Sequence, residues 1–553
     1  MPLQQPGENC RPEIDAETSL DAEPPVDAEA PLMPNLRLLN IRTLLQQGIA
    51  HQSRLQFPDA VRAYEEVLRR SPDHFDALHM LGVVAIQTER YLAAVELIGR
   101  ALEQRPGEAA AHNNLALALM RLGRIEEAVK SYEKVIAARP ESVEAHSHYA
   151  SAFAELGRLD EALESSSRAI ALRPDAAPGY LSQALILRSM HRAEEALASC
   201  EKATALRPES AEAWDKRGAA LRDLMRLDEA LTCFGKAIEL RPEFALAHMN
   251  AGMLHLLRGS FDQGWNSYDW RNKPGGPVAA RTWLKPRWRG EEPLAGKRLL
   301  IWSEQGLGDT IQFSRYANVL RAKGATVILS VQQCLRALLS GLDAGIQVCS
   351  ETDAPPEFDM HCPLLSLPLV LGTTEGTIPR AVPYLTADAD RVRRWRDRIG
   401  CGGFRIGICW QGSKLPIDVG RSFPLNALDT ISRTPGIRLI SLQKGYGCEQ
   451  LDSMPAGMRV EVLGEDFDAG LDAFLDTAAA IASMDLVITS DTAVAHLAGA
   501  LGRPTWVALK HVPDWRWLLE RDDSPWYPGH RLFRQKQRGA WDDVFRRMHE
   551  ALR

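Results

Sequence analysis

Long apolar runs are missing from this sequence: nowhere do the roughly 18 consecutive apolar residues of a bilayer-crossing helix occur. The chain does not open with a basic stretch followed by an apolar core, so no signal peptide is expected and the location reads as cytoplasmic. The nine cysteines include no Cys-x-x-Cys pair and no histidine at metal-ligand spacing, which argues against zinc and for reduced thiols. Neither a Gly-x-x-x-x-Gly-Lys-Ser/Thr loop nor a Gly-x-Ser-x-Gly elbow is present, so a P-loop nucleotidase and an elbow-type serine hydrolase are excluded. A basic excess is missing too: 65 Lys and Arg face 72 Asp and Glu, which argues against nucleic acid as a partner. The net charge of −7 is local, because the first 35 residues hold eight acids and one base and the remainder balances. That segment also carries seven prolines, and 1–35 is expected to be a disordered acidic tail.

The remaining chain repeats itself. Prolines 72, 106, 140, 174, 208 and 242 are spaced by 34 residues, and all but the first follow an arginine. Twelve positions before each stands an alanine, from Ala60 to Ala230, and eight before stands Tyr64, Ile98, Tyr132, Ser166, Cys200 or Phe234. Small residues recur at Gly48, Gly82, Ala116, Ala150, Ala184, Gly218 and Gly252, where two helices must touch. This pattern resembles the tetratricopeptide repeat. Six full repeats over 41–244 and a partial seventh with a cap give a solenoid at 36–272. The resemblance implies a protein or peptide in the groove, although backbone-clamping asparagines are few (Asn113, Asn114, Asn250).

Twelve of the thirteen tryptophans lie at or beyond Trp265, and Gly264–Arg271 reads as a helix capping the last repeat. Residues 273–296 read as a linker, in which Arg281, Lys285, Arg287 and Arg289 alternate with Trp283 and Trp288 as a docked segment. Beyond it, short apolar runs alternate with helical patterns, the signature of parallel strands and crossover helices. Strands are expected at 298–302, 326–331 and 346–349 in one Rossmann-like lobe, 297–390. A second lobe, 404–538, holds strands at 405–410, 438–442, 460–463, 485–489 and 505–509, with a hinge helix at 386–403 between them. An amphipathic helix at 539–553 presents Trp541, Val544, Phe545, Met548 and Leu552 on one face.

Ligands of open parallel sheets sit at the turns after the strands. After the first strand come Gln305, Gly306, Gly308 and Asp309, where glycines admit a close ligand. Asp309 has two readings, a helix cap or a carboxylate that takes a proton from an acceptor hydroxyl. Asp491 and Thr492 follow the strand at 485–489 and open a helix carrying His496, the kind of turn that attracts anions. Gln411, Gly412, Ser413 and Lys414 follow another strand, and Gln443-Lys444-Gly445 a fourth. Asp388/Asp390 and Asp466/Asp468 match Asp-x-Asp but converge with none of these turns, so no metal site is expected.

The Gly-Leu-Gly-Asp-Thr turn, the Gln-Gly-Ser turn, SLQKG at 441–445 and DTAVAHLAGALGRPTW at 491–506 together resemble bacterial heptosyltransferase-like glycosyltransferases with two facing Rossmann lobes, the GT-B type. The order of domains is also similar to repeat-bearing O-linked N-acetylglucosamine transferases. The resemblance implies an inverting, metal-independent transferase. Asp309 becomes its general base, and the first lobe its acceptor side. Gln411, Gly412, Ser413, Lys444, Asp491, Thr492 and His496 become its donor site, with a nucleotide-diphosphate sugar as co-substrate and no further cofactor. The alternative is a non-catalytic repeat scaffold with a degenerate sugar-nucleotide fold.

Overall fold

The structure, a computed structural model, describes residues 32–278, 281, 283–413, 420–470 and 474–553. Of the tail expected at 1–35, residues 1–31 fall outside that description, as does Lys414, whereas 32–35 already belong to a helix, Leu32–Ser53. The chain forms two compact units, the first ending at Leu224 and the second running from Met225 to Arg553. Among the described residues no helix is long and apolar enough to cross a membrane, and the cysteines are all free thiols.

The first unit is built from helix pairs. Tyr91–Gln104, Ile125–Ala138, Leu159–Leu172 and Ala193–Leu206 are successive second helices. Each ends at an arginine whose backbone has left helical geometry, because the proline that follows disfavours that geometry before it. The small residues do meet the next helix: a Cβ on Gly82 would stand 2.5 Å from Cγ1 of Ile98. Two periodic features were not anticipated. In four successive first helices an aromatic side chain bonds to the preceding repeat's proline carbonyl: His112 to Pro106 at 2.8 Å, His146 to Pro140 at 3.0 Å, Tyr180 to Pro174 at 3.1 Å and Trp214 to Pro208 at 2.8 Å. The turn between paired helices passes through a left-handed residue each time, at Leu55, Glu89, Gly123, Gly157 and His191. Asn113 and Asn114 are buried, and Asn114 bonds to His79 at 2.9 Å. Their burial makes them poor clamps for a peptide backbone.

The second unit begins with the remaining repeat helices, Leu227–Leu240, Ala245–Leu257 and Phe261–Tyr268. The last repeats thus lie in the same compact unit as the α/β region, and Leu256, Phe261, Trp265 and Tyr268 share one apolar core with the first α/β lobe. Trp265 donates its indole N–H to the Thr373 carbonyl at 2.9 Å. Arg271, fully buried, pairs with buried Glu304 at 2.7 Å. The segment expected as a linker is docked as well. Arg287 pairs with Asp269 at 2.8 Å and bridges alongside His361, at the edge of the first sheet.

That sheet contains β1 (Arg298–Trp302), β2 (Thr326–Val331), β3 (Ile346–Ser350) and β4 (Met360–Pro363), all parallel in the order β3-β2-β1-β4. The second contains β5 (Phe404–Cys409), β6 (Ile437–Ser441), β7 (Glu461–Val462), β8 (Leu486–Ser490), β9 (Thr505–Leu509) and β10 (His530–Arg534). Its order, β7-β6-β5-β8-β9-β10, is the doubly wound Rossmann order, with the switch point between β5 and β8. Strands β4 and β10 were not expected. The hinge helix lies at Ala389–Ile399, and the last helix, Trp541–Leu552, buries Trp541, Val544, Phe545 and Met548 against the second lobe.

Candidate functional site

The turn after β1 and the turn after β8 come together. A short helix, Leu307–Phe313, follows the first, and the helix Ala493–Ala500 follows the second. Gly308 lies against the latter: a Cβ there would stand 2.8 Å from Cδ2 of His496 and 3.4 Å from Cα of Ala493. Glycine at 308 thus admits the neighbouring helix.

Asp309 uses both carboxylate oxygens. Oδ2 accepts the Gly306 N–H at 2.8 Å, which is the capping reading, and Oδ1 is ion-paired with Arg516. Arg516 also bonds to Oδ1 of Asp514 and to Oε1 of Gln312, each at 2.8 Å. Burial opposes its charge, yet Asp514 and Asp309 outweigh burial and hold the guanidinium more firmly protonated than usual. Gln305 exchanges hydrogen bonds with the Tyr268 hydroxyl at 3.0 and 3.1 Å, and its carbonyl accepts from Gln332 at 2.8 Å.

His496 is buried, stacks on Trp517 at a 5.6 Å ring separation, and places Nδ1 3.1 Å from the Tyr527 hydroxyl. Burial, and then Arg516, push its pKa well below the usual imidazole value. It can offer a diphosphate a hydrogen bond but no positive charge. Burial pushes the Asp491 carboxyl upward, with Arg421 pulling the other way. Thr492 is the N-cap residue of Ala493–Ala500 yet makes no side-chain cap bond; its hydroxyl lies 3.1 Å from that of Thr489. Arg421 acts on both Asp491 and His496 and so adds positive charge near the positive end of a helix dipole, whereas the charge of Arg516 is met by Asp309 and Asp514.

The two other turns form an adjoining cluster organised by Gln443. Its Oε1 accepts the backbone N–H groups of Trp410 and Gln411, both at 3.0 Å, and its Nε2 donates to the carbonyls of Gln411 and Tyr446, both at 2.8 Å. Gln411 accepts from Gln450 at 3.1 Å, the Gly412 N–H donates to Ser422 at 3.1 Å, and Ser413 is half-buried. The Cys409 thiol joins the clusters, 3.4 Å from Oε1 of Gln443 and 3.8 Å from the Thr492 hydroxyl. Lys444 points elsewhere: its ammonium donates to the Phe467 carbonyl at 2.6 Å. The Asp-x-Asp pairs serve other partners, with Asp388 capping the helix Ala389–Ile399 and Asp466 pairing with Arg398.

Sequence reasoning did not assign Arg421, Arg516, Gln443 or Tyr268 to the site. The run Asp514-Trp515-Arg516-Trp517 was the available signal, a charge set among tryptophans in a stretch without helical or strand periodicity.

Comparison with known proteins finds a repeat family and a transferase family in different parts of the chain. A tetratricopeptide repeat model matches 45–109, 79–142, 113–177 and 216–264. The model of glycosyltransferase family 9 (heptosyltransferase) matches 431–509. The chain thus carries tetratricopeptide repeats together with part of a glycosyltransferase family 9 domain. It is similar to protein FlbA of Caulobacter vibrioides, 30% identical over 324 residues that make up 54% of this chain and 53% of FlbA. The chain therefore spans about half the length of that relative. Among solved structures, a tetratricopeptide repeat protein of Parabacteroides merdae superposes with TM-score 0.39 at 14% identity, over 42% of this chain and 91% of its own. TTC0263, a tetratricopeptide protein of Thermus thermophilus, does so with TM-score 0.30 at 26% identity, over 33% of this chain and all of its own.

Proposed function

We propose that the second unit is an inverting, metal-independent glycosyltransferase that moves a sugar from a nucleotide-diphosphate donor to an acceptor hydroxyl, and that the repeats recruit a protein or other large acceptor. The observation that carries this reading is the meeting of Asp309 and its glycine turn with the Asp491–His496 turn, beside the switch point of a sheet in Rossmann order. In this reading the first lobe offers the acceptor side. Asp309 takes the acceptor hydroxyl proton, the freed oxygen attacks the anomeric carbon, and the bond to the diphosphate breaks on the opposite face. Arg421 and the N-terminus of Ala493–Ala500 supply positive potential for the leaving group, and Gln443 fixes the turns that face it. Lys444 joins them only by giving up its bond to the Phe467 carbonyl.

Asp309→Asn tests the assignment. It keeps an acceptor oxygen for the Gly306 N–H, and Asp514 stays on Arg516, so the chain should fold and bind nucleotide. Transfer should fall by about 10²–10⁴-fold. Unchanged turnover would return Asp309 to a capping role. The scaffold alternative predicts no turnover in either protein.

A further inference from the structure

Arg516 lies in a short segment whose geometry is held from two directions. On one side it grips Asp309, Asp514 and Gln312. On the other, Trp515 packs edge-on against Trp265 at 5.2 Å between ring centroids and tilted against Tyr268 at 5.8 Å, both on the last repeat helix. The Arg516 guanidinium lies 4.1 Å from the Trp515 ring centroid. Two residues later the chain passes through Leu518 at φ 54°, ψ −167°, a region that side-chain-bearing residues rarely occupy, and Glu520 again has φ 53°. Backbone held in such geometry must be over-determined by its surroundings and gathers at functional sites. Tyr268 completes the circuit, because its hydroxyl bonds to Gln305 in the turn that leads to Asp309. One repeat helix therefore touches the turn carrying Asp309 and the segment carrying Arg516.

We propose that Arg516 is the positioning residue of Asp309, and that the last repeat helix sets both through Trp515 and Tyr268, so that the end of the repeat array is a component of the catalytic site. The inference rests on Asp309 being the base. Arg516 fixes Oδ1 while the Gly306 N–H fixes Oδ2, leaving the carboxylate a single orientation toward an incoming hydroxyl.

The Gly306 amide reports that orientation, since its hydrogen bond ends on the carboxylate in question. In the full-length chain, Arg516→Gln should speed hydrogen exchange at Gly306 by about tenfold or more, with the amides of β1 unchanged. Arg516→Lys, which can still donate to Oδ1, should restore part of the protection. Tyr268→Phe keeps the ring on Trp515 and loses only the bond to Gln305; it should also speed exchange at Gly306, and it serves if Arg516→Gln does not fold. The Kd values of UDP, GDP and ADP should stay as in the wild type, and in turnover kcat should fall while the donor KM holds. Unaltered exchange at Gly306 in the variants that fold would overturn the proposal. So would exchange that Arg516→Lys does not restore, or a nucleotide Kd that rises in step, which would make Arg516 a donor contact. If the wild type binds none of the three nucleotides, the transferase reading fails, while the exchange result still decides whether Arg516 positions Asp309.

Discussion

At Gly308 a single missing Cβ lets two helices from different lobes touch, with His496 Cδ2 2.8 Å from where that atom would be. Gly308→Ala should therefore cost stability as an overpacked contact does, about 1–3 kcal/mol, read as a lower denaturant midpoint for the second unit. A midpoint within experimental error of the wild type would mean that the two turns are not in contact in solution. Gly308 and Asp309 were legible in the sequence because a Gly-x-Gly-Asp turn directly after an apolar strand has few uses. The steric reason for Gly308 was not legible, since it depends on a helix almost 190 residues further along. Arg516 was hidden for a related reason. Its partners, Asp309 and Gln312, are brought to it by the packing of the lobes, which no local pattern encodes.

Among the elements, the helix-pair period and the bounds of most strands were legible, because a 34-residue spacing and uninterrupted apolar runs survive in one dimension. Strand β4 escaped because Met360-His361-Cys362-Pro363 is short and ends in proline, and β10 because His530, Arg531 and Arg534 dilute its apolar pair. The end of the array belongs to the second compact unit for a different reason. The period continues through Phe261–Tyr268, but the apolar face of that helix is covered by the α/β region, Trp515 included, rather than by another repeat. A chain beginning at residue 273 would lose Trp265, Tyr268 and Arg271, and would leave Glu304 buried without its guanidinium. Removing one partner of such a buried pair costs about 3–5 kcal/mol before the lost packing is counted. This fragment should show no cooperative thermal transition, whereas residues 225–553 should. A sharp transition in the shorter fragment would contradict the shared core.

Over the whole molecule the buried histidines set an acid limit. Burial lowers the pKa of His361 to about 4 and of His530 to about 3, and lowers those of His79, His148 and His496 as well. These rings are neutral in the fold, whereas their unfolded counterparts take up protons near pH 6.5. Unfolding thus gains protons below that pH, and stability is lost as pH falls from about 6.5 toward 4. The thermal midpoint should drop steadily between pH 7 and pH 5; a flat profile would mean that these side chains are hydrated in solution.

The central claim concerns what the second unit binds. Thermal unfolding of the full chain with UDP, GDP or ADP at millimolar concentration tests it most directly. A ligand present at 100 times its Kd adds about 2.7 kcal/mol to the folded state that binds it. The account predicts that at least one of the three raises the transition of the second unit by several degrees and leaves that of the first unit in place. No shift with any of them would contradict a nucleotide-sugar site and leave the α/β lobes as a scaffold.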